Sequence, residues 1–87
     1  MPVTNEKRKE NLYWVRQRDK WRTQYRNIRD EIVYCKQEVA HQHKQGQWWT
    51  ANRYLVQLRA LQQFANVMMM ERQYIKAQLK ITAYRYE

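Results

Sequence analysis

Gly46 is the only glycine of the 87-residue chain and lies almost at its midpoint, while the only proline is Pro2. Tight turns between strands depend on glycine and proline, so this chain lacks the residues that a fold of many strands needs. Residues that favour helix are abundant in it, namely Gln, Arg, Lys, Leu, Met, Ala and Glu. We therefore predict an all-α protein in which two long helices are joined near Gly46.

The first helix is predicted over about residues 5–42. Thr4 or Asn5 can accept hydrogen bonds from the free N–H groups of its first turn, and Glu6 suits the positive end of the helix dipole. From Trp14 onward, alternating steps of four and three residues reach mostly apolar side chains, which is the pattern of a heptad seam. The members of this seam are Trp14, Arg18, Trp21, Tyr25, Ile28, Ile32, Cys35 and Val39.

The turn is predicted over about residues 43–47, because Gly46 can take a positive φ without steric cost. The second helix is predicted over about residues 48–86, with Thr50 as its cap. The same stepping gives its seam: Tyr54, Leu58, Leu61, Ala65, Met68, Arg72, Ile75, Leu79, Thr82 and Tyr86.

The second helix also carries a second apolar stripe, which one partner helix cannot cover. A wide apolar arc is typical of a bundle helix that contacts two neighbours. We therefore predict a single domain over residues 1–87, a two-helix antiparallel hairpin that dimerises into a four-helix bundle. The predicted homodimer interface consists of Ala60, Phe64, Val67, Tyr74 and Ile81.

The chain carries a formal net charge of +9 and has a sequence pI near 10.0. Such a charge favours an anionic partner, either nucleic acid or an acidic membrane surface. Cys35 is the only cysteine, so an internal disulfide is excluded and a reducing compartment, the cytosol or the nucleus, is expected. The charged segment Met1–Glu10 indicates neither a secretory signal nor a mitochondrial presequence, and no run is long enough to span a membrane.

Six basic residues of the first helix fall within an arc of roughly 80° that contains no acidic residue and extends for about 42 Å. Guanidinium groups form bidentate bonds to phosphate oxygens, so this pattern indicates nucleic-acid binding; the competing interpretation is an ordinary solvated helix face. The predicted nucleic-acid-binding residues are Arg8, Arg18, Arg22, Arg26, Arg29 and Lys36.

Double-stranded RNA is the favoured ligand because the sequence contains no zinc-finger spacing, no short recognition helix and no basic leucine zipper. Duplex RNA is bound largely through its backbone and 2′-hydroxyl groups, which suits a long ridge bordered by polar side chains. The seam aromatics are interpreted as core rather than as platforms for bases. Of Trp48 and Trp49, one is expected to cover the turn end and the other to contact a partner.

Arg18 and Arg72 interrupt their seams and are expected to lie opposite each other. Crossed ion pairs with Glu71 and Asp19 are the preferred interpretation, and helices that splay to hold an anion are the alternative. Cys35, His41 and His43 are too few for a structural zinc site, so no metal or other cofactor is expected. No catalytic arrangement is evident, and the chain is interpreted as a non-enzyme.

The plan of a small basic helical hairpin that dimerises is similar to the RNA-silencing suppressors of insect nodaviruses. This resemblance is one of architecture and carries no residue over. It implies a homodimer that sequesters duplex RNA independently of sequence. Two alternatives remain: a helical interaction subunit or adaptor of a larger assembly, such as a ribonucleoprotein, and, with less support, a membrane-surface binder.

Overall fold

The computed structural model describes residues 5–83, which form a helical hairpin. Helix α1 spans Asn5–Lys44 and helix α2 spans Trp48–Thr82. No strand occurs in this part of the chain, so the predicted all-α hairpin is confirmed. The predicted cap Thr4 and the last predicted seam residue, Tyr86, lie outside the described residues.

The turn is a Schellman motif, which explains why it forms at Gly46. Gln47 N–H donates to the Gln42 carbonyl at 2.8 Å, and Gly46 N–H donates to the His43 carbonyl at 3.1 Å. These are the two backbone bonds that define the motif, and its penultimate position requires a left-handed residue. Gly46 has φ +71°, as predicted, and a Cβ placed there would meet nothing within 4 Å. The requirement for glycine is therefore one of backbone conformation and not of space.

The end of α1 and the cap of α2 differ from the prediction, whereas α2 begins at Trp48 as predicted. Helix α1 continues to Lys44, two residues past the expected end, because the Schellman bonds satisfy its last carbonyl groups. Helix α2 begins at Trp48, so Thr50 lies inside its first turn and the prediction that Thr50 is the cap is wrong. Gln47 holds the cap position without a side-chain hydrogen bond, and its carbonyl accepts from Ala51 N–H at 2.9 Å.

The two predicted seams face each other and form the core. Every member of the α1 seam is buried or half-buried, and in α2 only Arg72 is exposed among the described members. The buried side chains include Cys35 in the half near the turn, and Trp21, Met68 and Ile75 in the open half. The heptad pattern thus identified the helix faces that pack.

Two polar contacts fix how the helices align along their length. The buried Trp21 indole Nε1–H donates to the Met68 carbonyl at 2.7 Å. Near the open end, Asn11 Nδ2 donates to Thr82 Oγ1 at 3.1 Å, and the Thr82 hydroxyl donates to the Gln78 carbonyl at 2.8 Å. The Trp21–Met68 and Asn11–Thr82 contacts each join residues far apart in sequence, so together they hold one alignment of α1 against α2.

Candidate nucleic-acid interface

The basic residues predicted on α1 form a ridge along one flank of the helix, which we call the basic ridge. Its members are Arg8, Arg18, Arg22, Arg26, Arg29 and Lys36. Four of them, Arg8, Arg22, Arg29 and Lys36, share one heptad position directly beside the seam, and Arg26 lies one step farther round the helix. All except Arg18 are exposed, so their guanidinium and ammonium groups can reach an anionic partner.

Arg18 differs from the rest of the basic ridge because it lies in the seam and has an acidic partner. Its Nε–H donates to Asp19 Oδ1 at 3.5 Å, within the same helix. Arg72 lies over the Trp21 ring, with its guanidinium carbon 5.8 Å from the ring centroid. The expected crossed pairs of Arg18 with Glu71 and of Arg72 with Asp19 are therefore wrong. A neighbouring carboxylate and an indole face accommodate the two seam arginines instead.

A groove between the two helices lies beside these arginines, and we call it the cationic groove. It has a volume of about 510 Å³, and Arg18, Arg22, Arg72 and Lys76 border it. Its apolar lining consists of Trp21, Tyr25, Ile75 and Leu79. The helices do not separate at this level, since Trp21 and Ile75 are both buried. The groove is a surface depression where cations from both helices converge.

The cationic groove shows that α2 contributes to the basic side of the hairpin, which the sequence analysis did not include. Arg72 and Lys76 line the groove together with two members of the basic ridge. On the heptad of α2, Arg59 and Lys80 follow on the same side. The heptad positions of these basic residues can be read from the sequence of α2. They could be assigned to the basic side only once the structure showed which flank of α2 adjoins the ridge. We refer to the ridge and these four α2 residues together as the basic face.

Most acidic side chains lie on the other flank of the hairpin. Glu10, Glu31 and Glu38 share the heptad position on the far side of the α1 seam, and Glu71 holds the equivalent position in α2. Asp19, the partner of Arg18, is the acid that borders the basic face. Charge of one sign is thus concentrated on one flank, which gives the hairpin an electrostatically distinct side.

The aromatic residues of the seams serve the core. The Trp21 and Tyr25 rings are stacked with centroids 4.8 Å apart, and Trp21 is buried. At the turn, Trp48 packs edge-on against the His43 ring at 4.9 Å but, like Trp49, remains largely exposed. The core interpretation of the seam aromatics is therefore confirmed, whereas neither indole at the turn is covered by this hairpin.

No group of His, Cys, Asp and Glu side chains suited to a metal ion occurs within residues 5–83. Cys35 is 1% exposed, and burial, with a smaller contribution from the Glu31 charge, raises the pKa of its thiol. His41 and His43 are exposed. Within the same residues, neither helix is long and apolar enough to cross a membrane.

No known protein family, curated protein or solved structure matches this chain. The functional inference therefore comes from the charges, contacts and exposed surfaces of the hairpin itself.

Proposed function

We propose that this protein binds double-stranded RNA through its basic face, independently of sequence, and sequesters the duplex from the enzymes that process it. By this mechanism it would suppress RNA silencing. The observation that carries the proposal is the convergence of cations from both helices on one flank, while Glu10, Glu31, Glu38 and Glu71 lie on the other. Such an arrangement places many positive charges within reach of a phosphate backbone, and each neutralised phosphate releases counterions.

The shape of the hairpin supports a duplex rather than a small anion. The basic ridge extends for about 42 Å along a single helix, whose length is fixed by its rise per residue. A rigid row of cations can contact phosphates across successive grooves of one duplex, whereas a small ligand would use only a short part of the row. Exposed amide side chains on the same flank, including Asn66 and Gln73, can bond to 2′-hydroxyl groups.

The hairpin also has surface properties that support the predicted homodimer. Its accessible surface is 7536 Å², whereas a compact monomer of 11.0 kDa exposes about 5600 Å². Its radius of gyration is 19.6 Å, compared with about 12 Å for a compact chain of this length. Each of the predicted interface residues Ala60, Phe64, Val67, Tyr74 and Ile81 is exposed. A second copy would bury part of this surface.

A helical adaptor of a larger assembly is the second candidate function, and the same exposed apolar surface of α2 favours it. The two candidates differ in what that surface contacts. A stable homodimer in the absence of other proteins supports the RNA-binding proposal, because it covers the apolar surface and leaves the basic face free. A monomer that dimerises only weakly would favour the adaptor.

A gel-shift series tests RNA binding directly. Duplex RNA, duplex DNA and single-stranded RNA of matched length are each titrated with the protein at low and at moderate salt. Tightest binding to duplex RNA, with little dependence on its sequence and a steep loss of affinity with salt, is expected. Absence of duplex binding at low salt would contradict the proposal, and equal affinity for all three nucleic acids would contradict the preference for duplex RNA.

A further inference from the structure

Helix α2 has a second heptad repeat on the side that faces away from α1. Starting at Val56, alternating steps of four and three residues meet seven small or apolar residues and one glutamine. Its members are Val56, Ala60, Gln63, Val67, Met70, Tyr74, Ala77 and Ile81. Every one of them is exposed, with Met70 at 73% and Ile81 at 74%. We call this row the outer seam, and it contains no charged residue over about 39 Å of helix.

The outer seam has the properties of a helix-packing surface and not of a solvated face. A strict alternation of steps of four and three residues keeps the same side of a helix in contact with a partner helix along its whole length. Tyr74 is the only aromatic member; it makes an edge-on contact with Trp14 at 5.5 Å inside the hairpin, and the residue is still 58% exposed. A long, uncharged heptad seam of this kind is typical of a helix that packs against a second helix.

We propose that the outer seam pairs in antiparallel orientation with the outer seam of a second copy of this chain. The reason is that the repeat is self-complementary about a point between Met68 and Met69. With that point as the twofold axis, Val67 faces the partner's Met70 and Ala60 faces the partner's Ala77. Each of the eight outer-seam residues then faces an outer-seam residue of the second copy, so every apolar member contacts the partner helix.

The same register also satisfies the single amide of the outer seam. Gln63 falls opposite the partner's Tyr74, whose hydroxyl group is a hydrogen-bond partner for a buried amide. Phe64, which the sequence analysis assigned to the interface, lies beside the outer seam and would cover its edge. In a parallel pair each residue would meet its own copy, leaving Gln63 against the partner's Gln63 and aligning the helix dipoles unfavourably.

The antiparallel pair determines where the two basic faces lie, and this consequence rests on the proposed function. The outer seam and the core seam of α2 are about 150° apart round the helix, so the four helices form a layer and not the four-helix bundle predicted from the sequence. A twofold axis between antiparallel neighbours is perpendicular to that layer. Both basic faces therefore point to the same side. Because Trp21 bonds to Met68, the axis lies level with the middle of both basic ridges.

Disulfide trapping tests the register with the full chain. Val56→Cys and Ile81→Cys are made separately in a Cys35→Ala background and oxidised alone or mixed. The antiparallel register predicts a covalent dimer only in the mixture, because positions 56 and 81 meet each other and are far from their own copies. Covalent dimers of each variant alone would show a parallel pair and overturn the proposal. A wild-type chain that sediments as a monomer at micromolar concentration would overturn it as well and assign the outer seam to another protein.

A second pair of variants keeps the proposal testable without cysteines. Val67→Glu with Met70→Glu should weaken the dimer by about 100-fold or more while circular dichroism retains the helical signal, since both side chains face away from α1. Thr23→Glu with Gln37→Glu adds the same charge to the outer side of α1 and should leave the dimer intact. Unchanged dimerisation of the first variant would contradict the proposed seam.

The salt dependence of dimerisation and of RNA binding distinguishes a failure of the dimer proposal from a failure of the proposed function. Two chains of net charge +9 repel each other, so added salt should tighten the dimer, whereas it should weaken duplex RNA binding. A trapped dimer that binds no RNA would refute the proposed function alone. RNA binding by a chain that forms no dimer would refute the outer seam alone.

Discussion

The indole Nε1–H of Trp21 donates a buried hydrogen bond of 2.7 Å to the backbone carbonyl of Met68, across the interface between the two helices. The bond sets the position of α1 along α2, because a carbonyl inside a helix is a fixed point on its surface. The same indole ring stacks on Tyr25 and supports the Arg72 guanidinium. Trp21 thus links the core to the cationic groove.

Replacement of Trp21 by Phe removes the indole donor but keeps an aromatic ring in the core. We expect the free energy of unfolding to fall by about 1–2 kcal/mol, from the lost hydrogen bond and the smaller ring. Urea unfolding measures the loss, and Trp49→Phe at the exposed turn is the matched control with an expected change below about 0.5 kcal/mol. Equal stability of the two variants would show that the Trp21 bond does not hold the alignment.

Gly46 is the residue at which backbone conformation limits the sequence most. Gly46→Val should lower the free energy of unfolding by about 1–2 kcal/mol, because a β-branched residue tolerates a positive φ poorly. Gly46→Asn should cost less, since asparagine enters the left-handed region more readily. No side chain crowds the site, so the comparison isolates backbone strain. Equal thermal midpoints for the two variants would be inconsistent with the Schellman turn.

The sequence contained enough information to locate the seams and the turn, because both depend on local helix geometry. Heptad stepping from Trp14 and from Tyr54 identified faces that are buried in the hairpin, and Gly46 is the turn residue. Thr50 was assigned as a cap because its side chain suits that position, yet the Schellman bonds start α2 two residues earlier. Propensity for a cap was thus overridden by the geometry of the preceding turn.

The contacts between the helices could not be predicted because they depend on the rotation and alignment of one helix against the other. Arg18 and Arg72 were correctly placed on the facing seams, but their partners, Asp19 and the Trp21 ring, depend on details that heptad stepping does not contain. The contribution of Lys76 to the basic face was missed for the same reason. The outer seam, by contrast, was predicted only in part, since the predicted interface includes Phe64 and omits Met70.

Burial of Cys35 makes stability depend on pH in a defined direction. Burial raises the pKa of the folded thiol above its ordinary value of 9.0, so the folded state retains its proton after the unfolded state has lost it. The contribution of the buried thiol to the free energy of unfolding is complete below the ordinary pKa. It is lost as the pH rises from there through the raised pKa of the folded state. Wild type should therefore lose more stability between about pH 8 and about pH 10 than Cys35→Ala, as urea unfolding at each pH would measure.

Native Cys35 should also react slowly with a thiol reagent at neutral pH, because its sulfur is buried and protonated. Ala40→Cys in the Cys35→Ala background places a thiol at an exposed position of the same helix and is the matched control. Rapid labelling of wild type at the rate of the control would contradict the burial of Cys35.

Lys76 tests whether α2 belongs to the basic face. Lys76→Gln should weaken duplex RNA binding and reduce the slope of log affinity against log salt by about one, because one phosphate contact is lost. Arg53→Gln removes the same charge from the outer side of α2 near the turn, away from the basic face, and should change the slope little. Equal effects of the two variants would indicate that only net charge matters.

Duplex RNA binding after removal of three central ridge arginines is the most direct test of the basic face. Arg22→Gln, Arg26→Gln and Arg29→Gln are combined, and a control combines Lys9→Gln, Arg16→Gln and Lys20→Gln on other sides of α1. All six side chains are exposed, so both variants should keep the helical signal and differ only in where the charge is lost. A gel shift at moderate salt should show at least about a tenfold greater loss of duplex affinity for the ridge variant than for the control. Equal losses from the two variants would contradict the assignment of the basic face as the RNA-binding surface.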